Sequence, residues 1–525
     1  MTKQSFIKGA MILLAAGVIN RLLGFVPRIA LPRIIGAEGV GLYQLSYPFL
    51  SVLLTIITGG IPLAVAKWVA EAESAGDSAR IKHIVRTALG ITVSLAVVMT
   101  CALLLCAPWI TTHLLPDSRV YWSFVSMAPM LVIIAVSSVY RGYYQGKQNM
   151  IPTAVSQIVE TVSRIICQLG FASFFLQWGL EWAAAGSMLG VLVGEAAGLA
   201  VMLWTLSREK RKNRKTKKPN TQLGIPFPEA PERQEPVLGR LLRLSIPVTA
   251  SRMVGALSYL LESIFTARSL AAAGIATGVA TAQYGALQGM IIPLVLLPTA
   301  LTYSLAVSLV PSLSEAAAKG DKAAIHKRLH QSMRLSLVAG APLVVFMTLF
   351  AEPICRLLYK HAEIAPMLAW MAPVGVFIYL QAPLQAALQA LDKPGTALMN
   401  SFAGAVVKLL LILVLASNPA YGIKGALIAI NVNIVLVTVL HAVSVMRTIG
   451  FRMNLLDFVK VGAAMIVMAG AARFTMNHEP LSREWSNLLA AVAASAAVYL
   501  LLMVWMRIID RQDMRRIPVI GRWFR

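Results

Sequence analysis

Charged residues are scarce in this chain of 525 residues. Asp, Glu, Lys and Arg together make up 13% of the sequence, whereas soluble domains carry about 25%. Hydrophobic residues account for 58% of the chain, and the mean hydropathy is +0.71. The shortage of charge excludes an ordinary soluble domain. The apolar composition predicts an all-α polytopic membrane protein.

Cysteine is also rare, and its spacing is uninformative. The four cysteines lie in or beside apolar segments, and no two of them have CxxC spacing. They are Cys101, Cys106, Cys167 and Cys355. This pattern predicts neither a disulfide framework nor a metal site.

Motifs that carry covalent chemistry are missing as well. The chain contains no Walker loop, no HExxH motif and no convincing Gly-x-Ser-x-Gly elbow. We therefore expect a protein that is not an enzyme and has no cofactor.

Apolar segments long enough to cross a bilayer recur along the whole chain. A span needs about 20 apolar residues, and this criterion predicts fourteen transmembrane helices. Because the first span contains Arg21 and Arg28, we expect it to be retained and not cleaved as a signal peptide. The predicted spans cover residues 8–30, 40–66, 84–106, 120–142, 152–177, 183–205, 240–263, 282–310, 332–351, 366–390, 396–416, 424–446, 458–476 and 485–506.

Basic residues are distributed asymmetrically about these spans. If the N-terminus is cytoplasmic, most of the 47 lysines and arginines fall in cytoplasmic segments, as the positive-inside rule requires. Both termini are then on the cytoplasmic side of a bacterial cytoplasmic membrane. The segments 206–239 and 507–525 are strongly basic, and we interpret them as contacts for anionic membrane lipids, not for nucleic acid.

The second half of the chain repeats the first half. Gly76 and Asp77 return as Gly320 and Asp321, 244 residues later. An internal duplication in a membrane chain is typical of transporters, whose substrate site lies where the two halves meet. The predicted domains are two six-helix lobes at residues 1–205 and 240–450, joined by a basic linker at 206–239. A terminal helix pair with a basic tail follows at 451–525.

Ionisable residues inside the spans indicate function, because a charge in the bilayer costs several kcal/mol unless it is paired or hydrated. Arg21 and Arg28 are seven residues apart, on one face of the first span and about 10 Å from each other. Arg252 occupies the position equivalent to Arg21 in the second half, and Glu262 follows on the same helix. We predict that these four residues line a substrate cavity. The alternative is that the arginines satisfy backbone carbonyls where helices are broken.

A second group of ionisable residues lies on the fifth and sixth spans. Glu160 and Arg164 have the i, i+4 spacing of an intrahelical ion pair. Lys408 is the second-half counterpart of Arg164, whereas Gly404 stands where Glu160 would recur. Glu195 is a lone acid flanked by glycines that favour close helix packing. For these residues, a structural ion pair and an ion-coupling site are both open.

Several segments resemble a known family. These are residues 20–28 (NRLLGFVPR), 33–44 (RIIGAEGVGLYQ), 60–62 (GIP) and 144–152 (YQGKQNMIP). They are similar to the stage V sporulation protein B group of the multidrug/oligosaccharidyl-lipid/polysaccharide (MOP) exporter superfamily. The resemblance covers essentially the whole chain.

The resemblance implies a fold and a function. The fold would be two six-span lobes and a terminal pair of spans. The function would be that of a flippase, which moves an undecaprenyl-pyrophosphate-linked saccharide such as lipid II from the inner to the outer leaflet by alternating access. In related lipid II flippases, essential cavity arginines begin on the first span, with a motif that residues 21–25 match.

We take a flippase that serves peptidoglycan synthesis, with a role in sporulation, as the leading functional prediction. One alternative is a cation-coupled multidrug or small-solute antiporter, in which Glu160, Glu195 or Glu262 would titrate during transport. Another is an exporter of a different polysaccharide precursor. A third is a membrane scaffold for envelope-synthesis enzymes, which are also candidate partners of a flippase.

Overall fold

The computed structural model of the protein describes residues 16–216, 237–451, 453–478 and 484–508, which are almost entirely helical and contain no strand. The helices are α1 (16–23), α2 (Phe25–Thr58), α3 (Ile61–Ser74), α4 (Ser78–Trp109), α5 (Tyr121–Met127), α6 (Met130–Gly146), α7 (Ile151–Phe175), α8 (Leu180–Thr216), α9 (Val237–Ala272), α10 (Thr277–Gly285), α11 (Ile292–Val295), α12 (Thr299–Ala318), α13 (Lys322–Leu349), α14 (Ala351–Tyr359), α15 (Ala365–Met371), α16 (Gly375–Ala390), α17 (Pro394–Leu411), α18 (Ile423–Ile449), α19 (Leu455–Asn477) and α20 (Glu484–Trp505).

Twelve apolar helical elements in these ranges are long enough to cross a membrane. The first, Ala16–Ser74, is 59 residues long. Its helix is broken at Gly36, which has a φ of 68°, within the loop predicted between the first two spans. Three shorter helices, α10 to α12, occupy the region of the predicted eighth span. The all-α membrane fold is confirmed, and the count of fourteen spans stays a prediction.

The duplicated sequence forms the same turn in both halves. Gly76 and Gly320 have φ values of 71° and 68°, a conformation that glycine adopts without steric cost. Asp77 and Asp321 follow as the N-caps of α4 and α13. Each carboxylate accepts a hydrogen bond from the backbone N–H three residues later, at 2.8 Å and 2.9 Å. The backbone therefore repeats at the 244-residue spacing seen in the sequence.

The helices group into two compact units. Unit 1 comprises the chain up to Ala271 together with Ala276–Gly285, and unit 2 comprises Ala272–Ile275 and the chain from Ala286 onward. Unit 1 thus holds α1 to α10, and unit 2 holds α11 to α20. The lobe boundaries inferred from the duplication stay a prediction.

Each unit has its own apolar core. In unit 1, the rings of Phe49 and Phe124 meet edge to face with centroids 5.0 Å apart, within a cluster of buried side chains from α2, α4, α5 and α6. In unit 2, Leu329, Met468 and Tyr499 belong to a core built from α12, α13, α16, α19 and α20. These cores fix the helices that carry the polar residues described below.

The helix of the sixth span runs further than the apolar sequence does. α8 continues to Thr216, into the basic segment predicted to be a linker, because Lys, Arg and Glu are good helix formers. Residues 217–236, with the Pro-rich part of that linker, lie outside the described residues. So do residues 509–525, which form most of the basic tail.

A buried carboxylate ties three elements of unit 1 together. Asp117 is 2% exposed and accepts hydrogen bonds from Arg119 Nε at 3.0 Å, from Arg119 Nη2 at 2.8 Å and from Thr281 Oγ1 at 2.8 Å. Arg119 Nη2 also donates to Glu38 Oε1 at 2.7 Å. The loop before α5 is thereby joined to α2 and to α10.

Replacing Asp117 by alanine is expected to destabilise unit 1 by about 3 kcal/mol, because Arg119 loses its bidentate partner and Thr281 its acceptor. The Asp321→Ala variant is the comparator, since it removes only a helix cap worth about 1 kcal/mol. Thermal unfolding of the purified variants in one detergent measures both effects. Equal losses in the two variants would show that the Asp117 network adds nothing beyond a cap.

Candidate functional site

Arg21 and Arg28 lie on α1 and α2. Gly24, between these helices, donates a backbone hydrogen bond to Asn20 O at 2.9 Å and has helical φ and ψ angles of −62° and −15°. The chain therefore keeps a helical course between the two arginines, which places them on one face. Both arginine side chains are exposed. The guanidinium carbon of Arg28 lies 5.8 Å from the ring centroid of Phe25.

Tyrosine side chains accompany Arg28. It interacts electrostatically with Tyr43 on α2 and with Tyr259 on α9. Tyr47 lies beside Tyr43, with ring centroids 6.3 Å apart, and is 40% exposed. Glu262, which is 7% exposed, also interacts with Tyr259. The structure thus brings Arg28 and Glu262 to the same group of tyrosine hydroxyls.

Arg252 is held at a helix break. Its Nη1 atom donates to Gly59 O at 2.7 Å, between the end of α2 and the start of α3. One turn earlier on α9, Thr249 Oγ1 accepts from the backbone N–H of Gly60 at 3.1 Å. An arginine that binds a backbone carbonyl where a helix is broken is what the alternative interpretation predicted. A role of Arg252 in binding substrate stays a prediction.

Four charged side chains form a cluster among α6, α7 and α8, which we call the charge cluster: Arg141, Glu160, Arg164 and Glu195. Arg141 Nη2 lies 2.7 Å from Glu160 Oε2 and 3.9 Å from Glu195 Oε2. Arg164 Nη1 lies 3.9 Å from Glu160 Oε1. The shortest ion pair of Glu160 is therefore with Arg141 on another helix, and its ion pair with Arg164 on its own helix is longer.

Glycines on α8 allow this cluster to form. A Cβ atom on Gly194 would lie 2.5 Å from Arg164 Cβ, and one on Gly198 would lie 3.0 Å from Glu160 Cβ. A larger residue at position 194 would clash with Arg164, and one at position 198 would require Glu160 to shift by a few tenths of an ångström. Ser156 Oγ also donates to Gly198 O at 3.0 Å. The helices α7 and α8 thus approach closely just where the charged groups of α7 lie.

The acid Glu160 of the charge cluster is not repeated in the second half. Gly404, at the position of Glu160, faces Asn433 and Val437 on α18, which would lie 2.6 Å and 2.3 Å from an added Cβ. Lys408, the counterpart of Arg164, is 8% exposed on α17 in unit 2. Glu160, Arg164 and Glu195 all lie in unit 1.

Sequence reasoning missed Arg141 and the tyrosines. Arg141 lies at the end of a predicted span, and its charge inside an apolar segment was the signal that could have identified it. Tyr43, Tyr47 and Tyr259 carry no charge, so nothing in the sequence marked them as neighbours of Arg28. Tyr43 and Tyr47 lie on α2 with Arg28, and Tyr259 lies on α9. Among the described residues, no three His, Cys, Asp or Glu side chains are grouped so as to hold a metal ion.

The observed chemistry suits an anionic ligand. Guanidinium groups bind phosphate oxygens through paired, charge-assisted hydrogen bonds. Tyrosine hydroxyls can donate to phosphate and can also exchange hydrogen bonds with sugar hydroxyls. Arg21, Arg28 and their tyrosine neighbours could therefore bind a phosphorylated, hydroxyl-rich group.

Comparison with known proteins agrees with the fold. Residues 6–317 match the family described as polysaccharide biosynthesis protein, and residues 252–414 match the family described as MatE. Stage V sporulation protein B of Bacillus subtilis (strain 168) is 40% identical over 524 residues, which cover 99% of each chain. Lipid II flippase MurJ of the same organism is 26% identical over 78% of this chain and 77% of its own.

Solved structures show the same fold at low sequence identity. The inward closed conformation of Lipid II flippase MurJ superposes with a TM-score of 0.69 and 13% identity, over 95% of this chain and 99% of that one. The inward-facing conformation of a multidrug resistance MATE family transporter of the MOP superfamily superposes with a TM-score of 0.67 and 14% identity, over 84% and 98%.

The activities named among these relatives are those of a flippase and a transporter and not of enzymes. The helices of this chain agree with a multi-pass protein of a bacterial membrane. The full-length match to stage V sporulation protein B and the match of more than half the chain to one family agree with each other. The chain therefore belongs to the polysaccharide biosynthesis protein family.

Proposed function

We propose that this protein is a flippase that moves an undecaprenyl-pyrophosphate-linked saccharide from the inner to the outer leaflet by alternating access. Lipid II is the proposed cargo, and peptidoglycan of the spore cortex is its proposed destination. The observation that carries the proposal is the exposed pair Arg21 and Arg28 on one face of the first span, in a chain that resembles a sporulation protein along its whole length.

The sign of the charge supports an anionic cargo. Arginines in a membrane span persist when they face water or an anion, and a pyrophosphate offers oxygens for both guanidinium groups. In this proposal, Tyr43 and its neighbour Tyr47 offer hydroxyl donors to a cargo beside Arg28. A polyprenyl chain is as apolar as lipid, so in this proposal it stays in the bilayer while the polar group crosses.

Basic residues stacked on aromatic rings support a contact with anionic lipids of the inner leaflet. Lys67 Nζ and the guanidinium carbon of Arg240 each lie 4.8 Å from the ring of Trp68. The guanidinium carbon of Arg208 lies 4.7 Å from the ring of Trp204. Tryptophan and basic side chains prefer the membrane–water interface. Envelope-synthesis enzymes are further proposed partners.

Translocation in proteoliposomes tests the proposed function. The purified protein is supplied with labelled lipid II, and in parallel with an undecaprenyl-pyrophosphate oligosaccharide of a different sugar composition. We expect faster translocation of lipid II than in vesicles without protein. Movement of only the second lipid would identify an exporter of another polysaccharide precursor. Failure with both lipids, in protein shown to be folded, would contradict a flippase.

The second candidate function is a cation-coupled antiporter of drugs or small solutes. The MatE match over residues 252–414 and the structural similarity to MATE family transporters favour it. It requires carboxylates that face the transported cation, whereas Glu160 is already paired with Arg141. Drug accumulation in cells that express the protein distinguishes the two functions.

A further inference from the structure

The charge cluster contains one carboxylate whose hydrogen bonding is incomplete. Glu160 Oε2 accepts a short hydrogen bond from Arg141 Nη2 at 2.7 Å. Glu195 Oε2 is 3.9 Å from the same nitrogen, beyond hydrogen-bonding distance. Among the described residues, this buried oxygen has no hydrogen-bond partner. The two acids therefore share one guanidinium group unequally.

The groups that face Glu195 come from two helices. Arg141 is on α6, and Glu160 and Arg164 are on α7. The other elements packed on α8 include α2, α5 and the short helical turns at residues 118–120 and 176–178. The charged groups recorded as acting on Glu195 are Glu160, Arg141 and Arg164. With both acids ionised, the charge cluster is neutral. With a proton on Glu195, its charge is plus one.

An ionised Glu195 is costly in this position. A buried carboxylate oxygen without a donor loses its hydration and gains no hydrogen bond in return. Protonation removes that cost and leaves Arg141 to pair with Glu160. Ionisation, in contrast, favours a move of Arg141 toward Glu195, over a difference in distance of about 1.2 Å. The cluster thus has two arrangements that differ by one proton.

We infer that Glu195 binds a proton in one state of the transport cycle and releases it to water in another, so that the proton is the coupled ion. The carboxylate of Glu195 gains an O–H bond on uptake, and that bond breaks when water accepts the proton. The inference rests on the proposed function only where it assigns the proton to a transport cycle. The titration of Glu195 itself can be measured without any cargo.

The charge cluster is linked to the candidate binding residues through Arg164. Arg164 and Arg28 both interact electrostatically with Tyr43. A proton on Glu195 raises the positive charge next to this tyrosine, and an anionic ligand beside Arg28 would be attracted. Because binding linkage is reciprocal, the ligand should also promote proton uptake. At an effective dielectric constant of about 20, a unit charge changes the affinity for an anion about tenfold if the two are roughly 10 Å apart.

Infrared difference spectroscopy of the protein in lipid membranes tests the titration directly. We expect a protonated-carboxyl band that disappears as the pH rises in the wild type and is absent from Glu195→Gln. Glu181→Gln, on the same helix and outside the charge cluster, is the matched control and should keep the band. A titrating band that persists unchanged in Glu195→Gln would overturn the inference.

Calorimetry with farnesyl pyrophosphate, a short polyprenyl pyrophosphate, tests the linkage. Titrations in buffers of different ionisation enthalpy report the protons taken up on binding. We expect uptake by the wild type and by Glu181→Gln, and about tenfold weaker binding at high pH than at low pH. In Glu195→Gln, the proton uptake and the pH dependence of binding that Glu195 causes should vanish. Equal uptake in all three proteins would also overturn the inference, whereas absence of any binding would count against the proposed function.

Discussion

Proteoliposomes that contain the Arg21→Ala variant are expected to translocate the lipid-linked saccharide at least about tenfold more slowly than those with wild-type protein. Hydrogen bonds to a charged group contribute about 1.5–3 kcal/mol, which corresponds to roughly 10-fold to 100-fold in rate if they form on the path to the transition state. Arg28→Ala should behave in the same way, since both guanidinium groups lie on one face of the first span.

The decisive comparison for Arg21 is with Arg86→Ala. Arg86 is also exposed in unit 1, but it lies near the start of α4 and is not among the residues that we place in binding. Its variant should translocate at the wild-type rate. Arg21→Lys should be intermediate, because it keeps the charge and loses the paired donors of the guanidinium group. Wild-type rates in both Arg21→Ala and Arg28→Ala would refute the arginine site.

Local sequence patterns predicted part of this structure well. Gly76 with Asp77, and their repeats Gly320 and Asp321, give a left-handed residue followed by a helix cap in both halves. Such a turn depends on residues three or four apart, so the sequence alone determines it. The all-α membrane class followed from composition for a similar reason, since each span satisfies its own backbone hydrogen bonds.

Contacts between distant parts of the chain were harder to predict. Arg119 and Glu38 are 81 residues apart in the sequence, and nothing local marks them as partners. Glu160 illustrates the same difficulty, because its i+4 neighbour Arg164 was the expected partner. The structure places Arg141 from another helix closer, at 2.7 Å against 3.9 Å. Helix packing decides such contacts, and one sequence without its homologues does not report packing.

The glycines of α8 show why the charge cluster was only partly predicted. Gly194 and Gly198 indicated that another helix approaches closely, and the structure confirms close contacts with Arg164 and Glu160. The sequence did not say which helix would approach, or that α6 would add an arginine. A lone acid such as Glu195 therefore remained without a partner until Arg141 was located.

Replacing Arg141 by alanine is expected to lower the stability of the folded protein by about 3–5 kcal/mol, the usual cost of breaking a buried ion pair from one side. Glu160 would lose its hydrogen bond of 2.7 Å, and Glu195 would lose its only cation within 4 Å among the described residues. Arg164, at 3.9 Å from Glu160, is too far to replace Arg141 without moving. Thermal unfolding of the purified protein in lipid nanodiscs measures the loss.

A charge-balanced double variant separates the lost ion pair from lost packing. Arg141→Gln with Glu160→Gln removes one charge of each sign and leaves amide groups that can bond to each other. Because no uncompensated carboxylate is then left at Glu160, this protein should be more stable than Arg141→Gln alone, and the double-mutant cycle should give a coupling of about 1–3 kcal/mol. Additive effects of the two substitutions would instead mean that Arg141 stabilises the helices by packing. The charges of the cluster would then not be coupled, and a proton on Glu195 would not change the pairing of Arg141.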